Sequence, residues 1–69
     1  MMKLTLKACR TNVKASAAEM AKAVGVSEDT VYNWEKGKYA PTYKNMLKIV
    51  EFFESKNFPI TIDDINFLP

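Results

Sequence analysis

Polar side chains that can hydrogen-bond to the edges of nucleic-acid bases are concentrated in residues 27–33. They are Ser27, Glu28, Asp29, Thr30 and Asn33. The amide of Asn33 can form two hydrogen bonds with N6 and N7 of adenine, and the carboxylate of Glu28 or Asp29 can accept one from N4 of cytosine. The two acids have a second interpretation, in which they only stabilise the start of a helix by complementing its dipole. The residue types alone leave both interpretations open.

Lysines that follow this segment are candidates for contacts with phosphate groups. They are Lys36, Lys38 and Lys44. Their position just after the polar segment favours phosphate contact over simple solvation. The net charge of +2 at pH 7 gives weak support to nucleic acid as a partner, so the distribution of charge matters more than its total. A second basic group fits either a solvated face or phosphate contact, and it consists of Lys3, Lys7, Arg10 and Lys14.

The groups on which most enzymes depend are scarce in this chain. It contains no histidine and a single cysteine, Cys9. Its sequence has no glycine-rich phosphate loop, no metal-ligand spacing and no nucleophile beside a base. The neighbouring acids Asp63 and Asp64 lie where a helix start favours negative charge. We therefore expect no enzymatic activity, no cofactor and no small-molecule ligand, and we expect Cys9 to be a small buried apolar group.

Capping residues and glycines divide the middle of the chain into two helices joined by a tight turn. Ser16 can cap the first helix, with Glu19 completing a capping box, and Gly25 can end it in the left-handed conformation. Ser27 can cap the second helix, and Gly37 follows it. Two short helices connected in this way are typical of a helix-turn-helix, whose second helix lies in the major groove of DNA.

Apolar periodicity predicts an all-α fold, a compact bundle of five helices that forms one domain over residues 1–69. The helices are expected at residues 1–12, 16–24, 27–36, 42–55 and 61–68. Their inward-facing residues should include Met2, Leu6, Cys9, Val31, Trp34, Tyr43, Met46, Leu47, Val50, Phe53, Ile62, Ile65 and Leu68. No apolar run is long enough to cross a bilayer and no signal peptide is visible, so a soluble cytoplasmic protein without a membrane partner is the default expectation.

The chain from about Leu4 to Leu68 resembles the helix-turn-helix domain of lambdoid phage repressors and Cro proteins, and of the wider Cro/CI-type regulator family. The matching pieces, in order, are Ser16, Glu19-Met20-Ala21, Val24-Gly25-Val26-Ser27, Thr30-Val31, Trp34-Glu35-Lys36-Gly37-Lys38, Pro41, Leu47-Lys48-Ile49 and Ile62-Asp63-Asp64-Ile65. Each piece alone is a weak indication. The ordered set with its spacing intact is specific.

The resemblance implies which residues face DNA. The first turn of the second motif helix would contact bases, as would Asn33 one turn later. Residues near the phosphate backbone would be Ser16, Ala17, Lys36, Lys38 and Tyr39. Ala17 stands where the family commonly has a glutamine that braces the DNA contact, so that interaction is missing here. Arg10 and Glu35 match a pair that forms a salt bridge between helices in some members.

The function that these observations imply is sequence-specific binding of double-stranded DNA by a transcriptional regulator. A Cro-like repressor that binds a palindromic operator as a homodimer is the form expected, since one such domain reads only a few base pairs. Residues that could form the dimer contact or complete the core are Ile49, Phe52, Phe58, Ile60 and Phe67. The alternative is a protein-interaction module on the same fold, such as an antitoxin or antirepressor.

Overall fold

Four α-helices, a 3₁₀ turn and a pair of two-residue strands make up the part of the chain that the computed structural model describes, residues 3–67. The elements in chain order are β1 (Leu4–Thr5), α1 (Leu6–Asn12), α2 (Ala17–Val24), α3 (Glu28–Glu35), α4 (Tyr43–Ser55), the 3₁₀ turn (Ile62–Asp64) and β2 (Ile65–Asn66). Helix α2 packs against both α3 and α4. Within residues 3–67, no helix is long and apolar enough to cross a membrane.

Hydroxyl side chains set the start of all four α-helices in the described chain. The capping residues are Thr5, Ser16, Ser27 and Thr42, each with an extended backbone conformation. Each hydroxyl oxygen accepts a hydrogen bond from the backbone N–H three residues later, at 3.0–3.2 Å. Such a cap stabilises a helix by about 1 kcal/mol. The expected capping box at Ser16 is only half formed: Ser16 accepts from the Glu19 N–H, and the carboxylate of Glu19 accepts from the ammonium of Lys56.

The prediction of five α-helices is wrong, since the C-terminal segment forms a 3₁₀ turn and then a strand. Strand β2 pairs in parallel with β1, and Leu4 is opposite Ile65. Ile65 and Phe67 are buried on either side of half-buried Asn66, which is an alternation with the period of a strand. The predicted first helix is also too long at its start, because Thr5 caps α1. The predicted core residues Met2 and Leu68 lie outside the described residues.

The carboxylate of Asp64 closes the 3₁₀ turn. It accepts hydrogen bonds from the backbone N–H of Thr61 at 3.0 Å and from the Thr61 hydroxyl at 2.9 Å. These two bonds lower the pKa of Asp64 because they stabilise its charged form. The turn therefore holds β2 in place beside β1 most firmly when this carboxylate is ionised.

The hydrophobic core collects buried side chains from every helix and from the C-terminal segment. The largest fully buried residues are Phe53, Met20, Ile49, Val24, Val31 and Cys9. Cys9 is the small buried group expected from the sequence, and burial, with a smaller effect of Asp64, raises the pKa of its thiol. The predicted inward stripe of α4 is partly wrong: Tyr43 and Leu47 are exposed, whereas Ile49 and Phe52 are buried. Apolar residues cover so wide a part of the α4 surface that the sequence alone did not show which side of the helix faces the core.

Most residues considered for a dimer contact belong to the core instead. Ile49, Phe52, Ile60 and Phe67 are buried, and Phe58 is half-buried against the core cluster. The ring of Phe53 contacts Phe58 edge-on, with ring centroids 5.9 Å apart. These side chains therefore offer little surface to a second molecule.

Candidate nucleic-acid interface

The geometry of α3 separates a buried face from an open one. Val31 is 0% exposed and Trp34 is 3% exposed, so this face packs into the core. The residues away from this face are open to solvent: Ser27, Glu28, Asp29 and Tyr32 are exposed, and Thr30 and Asn33 are half-buried. The five residues predicted to contact bases therefore all keep solvent-accessible surface along one short helix. Trp34 is a core residue and cannot act as a stacking platform for bases.

The turn before α3 is fixed by backbone hydrogen bonds. Gly25 has φ +87°, a conformation that L side chains rarely adopt. The N–H groups of Gly25 and Val26 both donate to the carbonyl of Ala21, at 2.8 and 2.9 Å. Ala21 is itself 4% exposed, on a helix that packs against α3. The start of α3 is therefore held in one orientation relative to α2.

The hydroxyl groups of Ser27 and Thr30, at the start of α3, hydrogen-bond to each other. The oxygen of Ser27 accepts from the N–H of Thr30 at 3.2 Å and lies 2.9 Å from the Thr30 hydroxyl oxygen. Only one of these hydroxyls donates to the other, so the second hydroxyl proton can still be given to a phosphate or a base. The carboxylates of Glu28 and Asp29 lie beside this pair and make the first turn of α3 acidic.

A hydrogen bond that sequence reasoning missed links α3 to the loop after it. The amide nitrogen of Asn33 donates to the hydroxyl of Tyr39 at 3.3 Å. The N–H of Lys38 also donates to the carbonyl of Asn33, at 3.0 Å. These bonds bring a predicted base contact together with two predicted phosphate contacts. Gly37, with φ 78°, supplies the left-handed residue that folds the loop back in this way.

The residues predicted to contact phosphate differ in their exposure and in the hydrogen-bond donors that they carry. Lys36, Lys38 and Lys44 are exposed, and Tyr39 is 47% exposed. Ser16 is also exposed, and its oxygen accepts from Glu19 N–H, which leaves its own proton free to donate. The predicted phosphate contact at Ala17 is not supported by the fold, because the whole residue is 2% exposed and its side chain has no polar atom.

Arg10 and Glu35 join the N-terminal helix to the end of α3. Arg10 Nε donates to Glu35 Oε2 at 2.6 Å, and Arg10 Nη2 donates to Glu35 Oε1 at 3.1 Å. A third bond runs from Arg10 Nη1 to the carbonyl of Ala15 at 2.9 Å. The hydrogen bonds that Arg10 donates to the Glu35 carboxylate raise the pKa of Arg10 above its ordinary value. This forked pair, with side chains 13% and 5% exposed, ties the end of α3 to α1.

Comparison with known proteins identifies the class to which this geometry belongs. A family model described as Helix-turn-helix matches residues 6–57, which covers α1 to the end of α4. The chain belongs to this helix-turn-helix family. No solved structure matches it significantly.

Two curated relatives match over most of their own length. The chain is 38% identical over 63 residues to an uncharacterized HTH-type transcriptional regulator of Archaeoglobus fulgidus. The aligned region covers 91% of this chain and 89% of the relative. The chain is 42% identical over 55 residues to another uncharacterized HTH-type transcriptional regulator, from Methanocaldococcus jannaschii. That alignment covers 80% of this chain and 83% of the relative. Both relatives are named as regulators of transcription.

Proposed function

We propose that this protein is a transcriptional regulator that binds double-stranded DNA in a sequence-specific manner, with α3 in the major groove. The observation that carries the proposal is the open polar face of α3 opposite the buried pair Val31 and Trp34. An α-helix fits the major groove, and the side chains on this face can hydrogen-bond to base edges. The family and the names of the two relatives support the same reading.

Within that function, we propose that Glu28, Asp29 and Asn33 provide the base contacts, with Ser27 and Thr30 as hydroxyl donors. Ser16, Lys36, Lys38, Tyr39 and Lys44 contact the phosphate backbone. The protein acts as a Cro/CI-like repressor and binds as a dimer to a palindromic operator, because two half-sites one helical turn apart supply the specificity that one domain lacks.

The second candidate function is a protein-interaction module on the same fold. It is favoured by the acidic first turn of α3, where Glu28 and Asp29 are exposed and would repel phosphates that came close. The two functions differ in their response to salt. Phosphate contacts release condensed counterions, so binding to duplex DNA must weaken steeply as salt rises.

Lys38→Ala should therefore flatten the salt dependence of DNA binding. We expect the plot of log binding constant against log salt concentration to lose about one unit of slope, because one phosphate contact is removed. The measurement is fluorescence anisotropy with a mixed-sequence duplex at several salt concentrations. The matched control is Lys22→Ala, an exposed lysine on α2 outside the proposed interface, which should leave the slope unchanged.

Two results would count against this account. An unchanged slope for Lys38→Ala removes that residue from the interface. Failure of the wild-type protein to retain any duplex in dilute buffer, together with binding to a protein partner, overturns the proposed regulator in favour of the interaction module.

A further inference from the structure

Tyr39 and Asn33 share a hydrogen bond within the candidate interface. Nδ2 of Asn33 donates to the hydroxyl oxygen of Tyr39 at 3.3 Å. An asparagine side chain carries one acceptor oxygen and two amide protons, so this bond leaves Oδ1 and one N–H for a ligand. Those are the two groups with which asparagine binds adenine. Asn33 is half-buried and Tyr39 is 47% exposed, so both remain accessible to a ligand.

The loop after α3 holds Tyr39 close to Asn33. The left-handed conformation of Gly37, with φ 78°, turns the chain back toward α3. The N–H of Lys38 then donates to the carbonyl of Asn33 at 3.0 Å, so the residue directly before Tyr39 is bonded to α3. Pro41, two residues beyond Tyr39, is buried. Tyr39 therefore lies between two anchored points, and the backbone of α3 itself sets where its hydroxyl can reach.

The orientation of the Asn33 amide decides which purine it binds. In the major groove both purines present the acceptor N7, but adenine presents the N6 amino donor where guanine presents the O6 acceptor. With Oδ1 on that side, the amide accepts from the amino group of adenine and is repelled by the carbonyl of guanine. Rotated by half a turn, the amide donates to the carbonyl of guanine instead. An amide that is free to rotate therefore distinguishes adenine from guanine poorly.

We propose that Tyr39 is a positioning residue that orients the Asn33 amide to select adenine over guanine. A tyrosine hydroxyl has a single proton. When Tyr39 donates that proton to a DNA phosphate, its oxygen can only accept, so it must face Nδ2 of Asn33 rather than Oδ1. The phosphate contact thus fixes the orientation of the amide through one intervening hydroxyl. This inference rests on the proposed function and names a residue that sets specificity without touching a base.

The first test uses Tyr39→Phe, which removes the hydroxyl and keeps the ring. The probes are four duplexes that carry the site selected by the wild type and differ only at the base pair where Asn33→Ala alters the preference. Tyr39→Phe should lower the ratio of the affinities for adenine and guanine at least about fivefold, because it releases the contact that distinguishes them. The matched control is Tyr43→Phe, on a tyrosine of α4 that is 68% exposed, and it should leave the ratio unchanged. Fluorescence anisotropy measures the affinities, and circular dichroism establishes that the variants remain folded.

A double variant separates this role from an ordinary phosphate contact. Loss of a phosphate contact alone weakens binding to all four duplexes by the same factor, because phosphates carry no sequence information. Since Tyr39 acts through Asn33 in this proposal, Tyr39→Phe should no longer change the ratio for adenine and guanine in an Asn33→Ala background. Equal weakening on all four duplexes, or the same change of ratio without the Asn33 side chain, would contradict the inference.

A measurement without DNA tests the hydrogen bond itself. The ¹H–¹⁵N NMR signals of the Asn33 side-chain amide should shift in Tyr39→Phe and stay unchanged in Tyr43→Phe. Because both variants keep the aromatic ring, such a shift reports the loss of the Tyr39 hydroxyl. Unchanged Asn33 signals in Tyr39→Phe overturn this inference while DNA binding stands. A wild-type protein that binds no duplex overturns the proposed function and the selection of adenine with it, whereas the amide signals still report whether the bond is present.

Discussion

Replacing Glu35 with glutamine is expected to lower the free energy of unfolding by about 3 kcal/mol. The substitution removes the charge that faces the Arg10 guanidinium, whose side chain is only 13% exposed. Removing one partner of a fully buried ion pair costs about 3–5 kcal/mol, because the remaining charge stays desolvated. Because the Arg10 side chain keeps some exposure and also donates to the Ala15 carbonyl, we expect a loss at the lower end of this range. Urea denaturation of wild type and variant measures it.

The exposed ion pair of the same chain is the control for this experiment. Glu19 and Lys56 have side chains 44% and 35% exposed, so Glu19→Gln should change the free energy of unfolding by at most about 1 kcal/mol. A double-mutant cycle with Arg10→Ala and Glu35→Ala isolates the interaction of the pair. A coupling energy of zero would show that the two residues act as independent surface charges and that α3 is not held by this pair.

Replacing Phe53 with alanine is expected to remove most of the stability of the fold. Phe53 is fully buried on α4 and contacts the rings of Phe52 and Phe58, with centroids 5.6 and 5.9 Å away. Truncation of a buried phenylalanine costs about 3–5 kcal/mol through lost burial and the cavity that remains. A domain of 69 residues has about 3–10 kcal/mol of stability in total. Thermal and urea denaturation should therefore detect a largely unfolded or strongly destabilised variant.

Tyr43→Ala on the same helix provides the contrast for Phe53→Ala. Because Tyr43 is 68% exposed, its truncation at low micromolar concentration should change the free energy of unfolding by no more than about 0.5 kcal/mol. Equal losses for the two aromatic residues would mean that the inner and outer faces of α4 are assigned incorrectly.

The helix-turn-helix was predictable because its signals are local in the sequence. Ser16 and Ser27 cap α2 and α3, and Gly25 ends α2 in the left-handed conformation, all as the residue types indicate. Helix α4 likewise begins directly after its predicted cap, Thr42. A cap or a left-handed glycine acts within three or four residues, so a single sequence is enough to place it.

The two ends of the described chain were not predictable in the same way. Strand β1 pairs with β2, which lies at the other end of the sequence, and helical periodicity carries no information about such a pairing. The acids at 63 and 64 resembled a helix start, and Asp64 does stabilise a turn, but only a short 3₁₀ turn. Long-range pairing overrode the local helical pattern at both ends.

The candidate interface shows the same division between local and long-range information. The open face of α3 followed from the apolar spacing of Val31 and Trp34, whereas the bond between Asn33 and Tyr39 depends on how the loop at Gly37 folds back. The contact between Arg10 and Glu35 was expected only from the family resemblance, because residues 25 positions apart carry no spacing signal. On α4, the sequence did not distinguish the core residues from the exposed apolar ones. Only the burial of each side chain in the structure makes that distinction.

The most direct test of base recognition by α3 is selection from randomised duplexes, followed by footprinting, for the wild type, Glu28→Gln and Asn33→Ala. Asp63→Asn, an exposed acid in the 3₁₀ turn, is the control. We predict that the wild type enriches one palindromic site, that Glu28→Gln alters the preference at a cytosine and that Asn33→Ala alters it at an adenine. Failure to enrich any sequence, or an identical preference in all four proteins, would contradict the account.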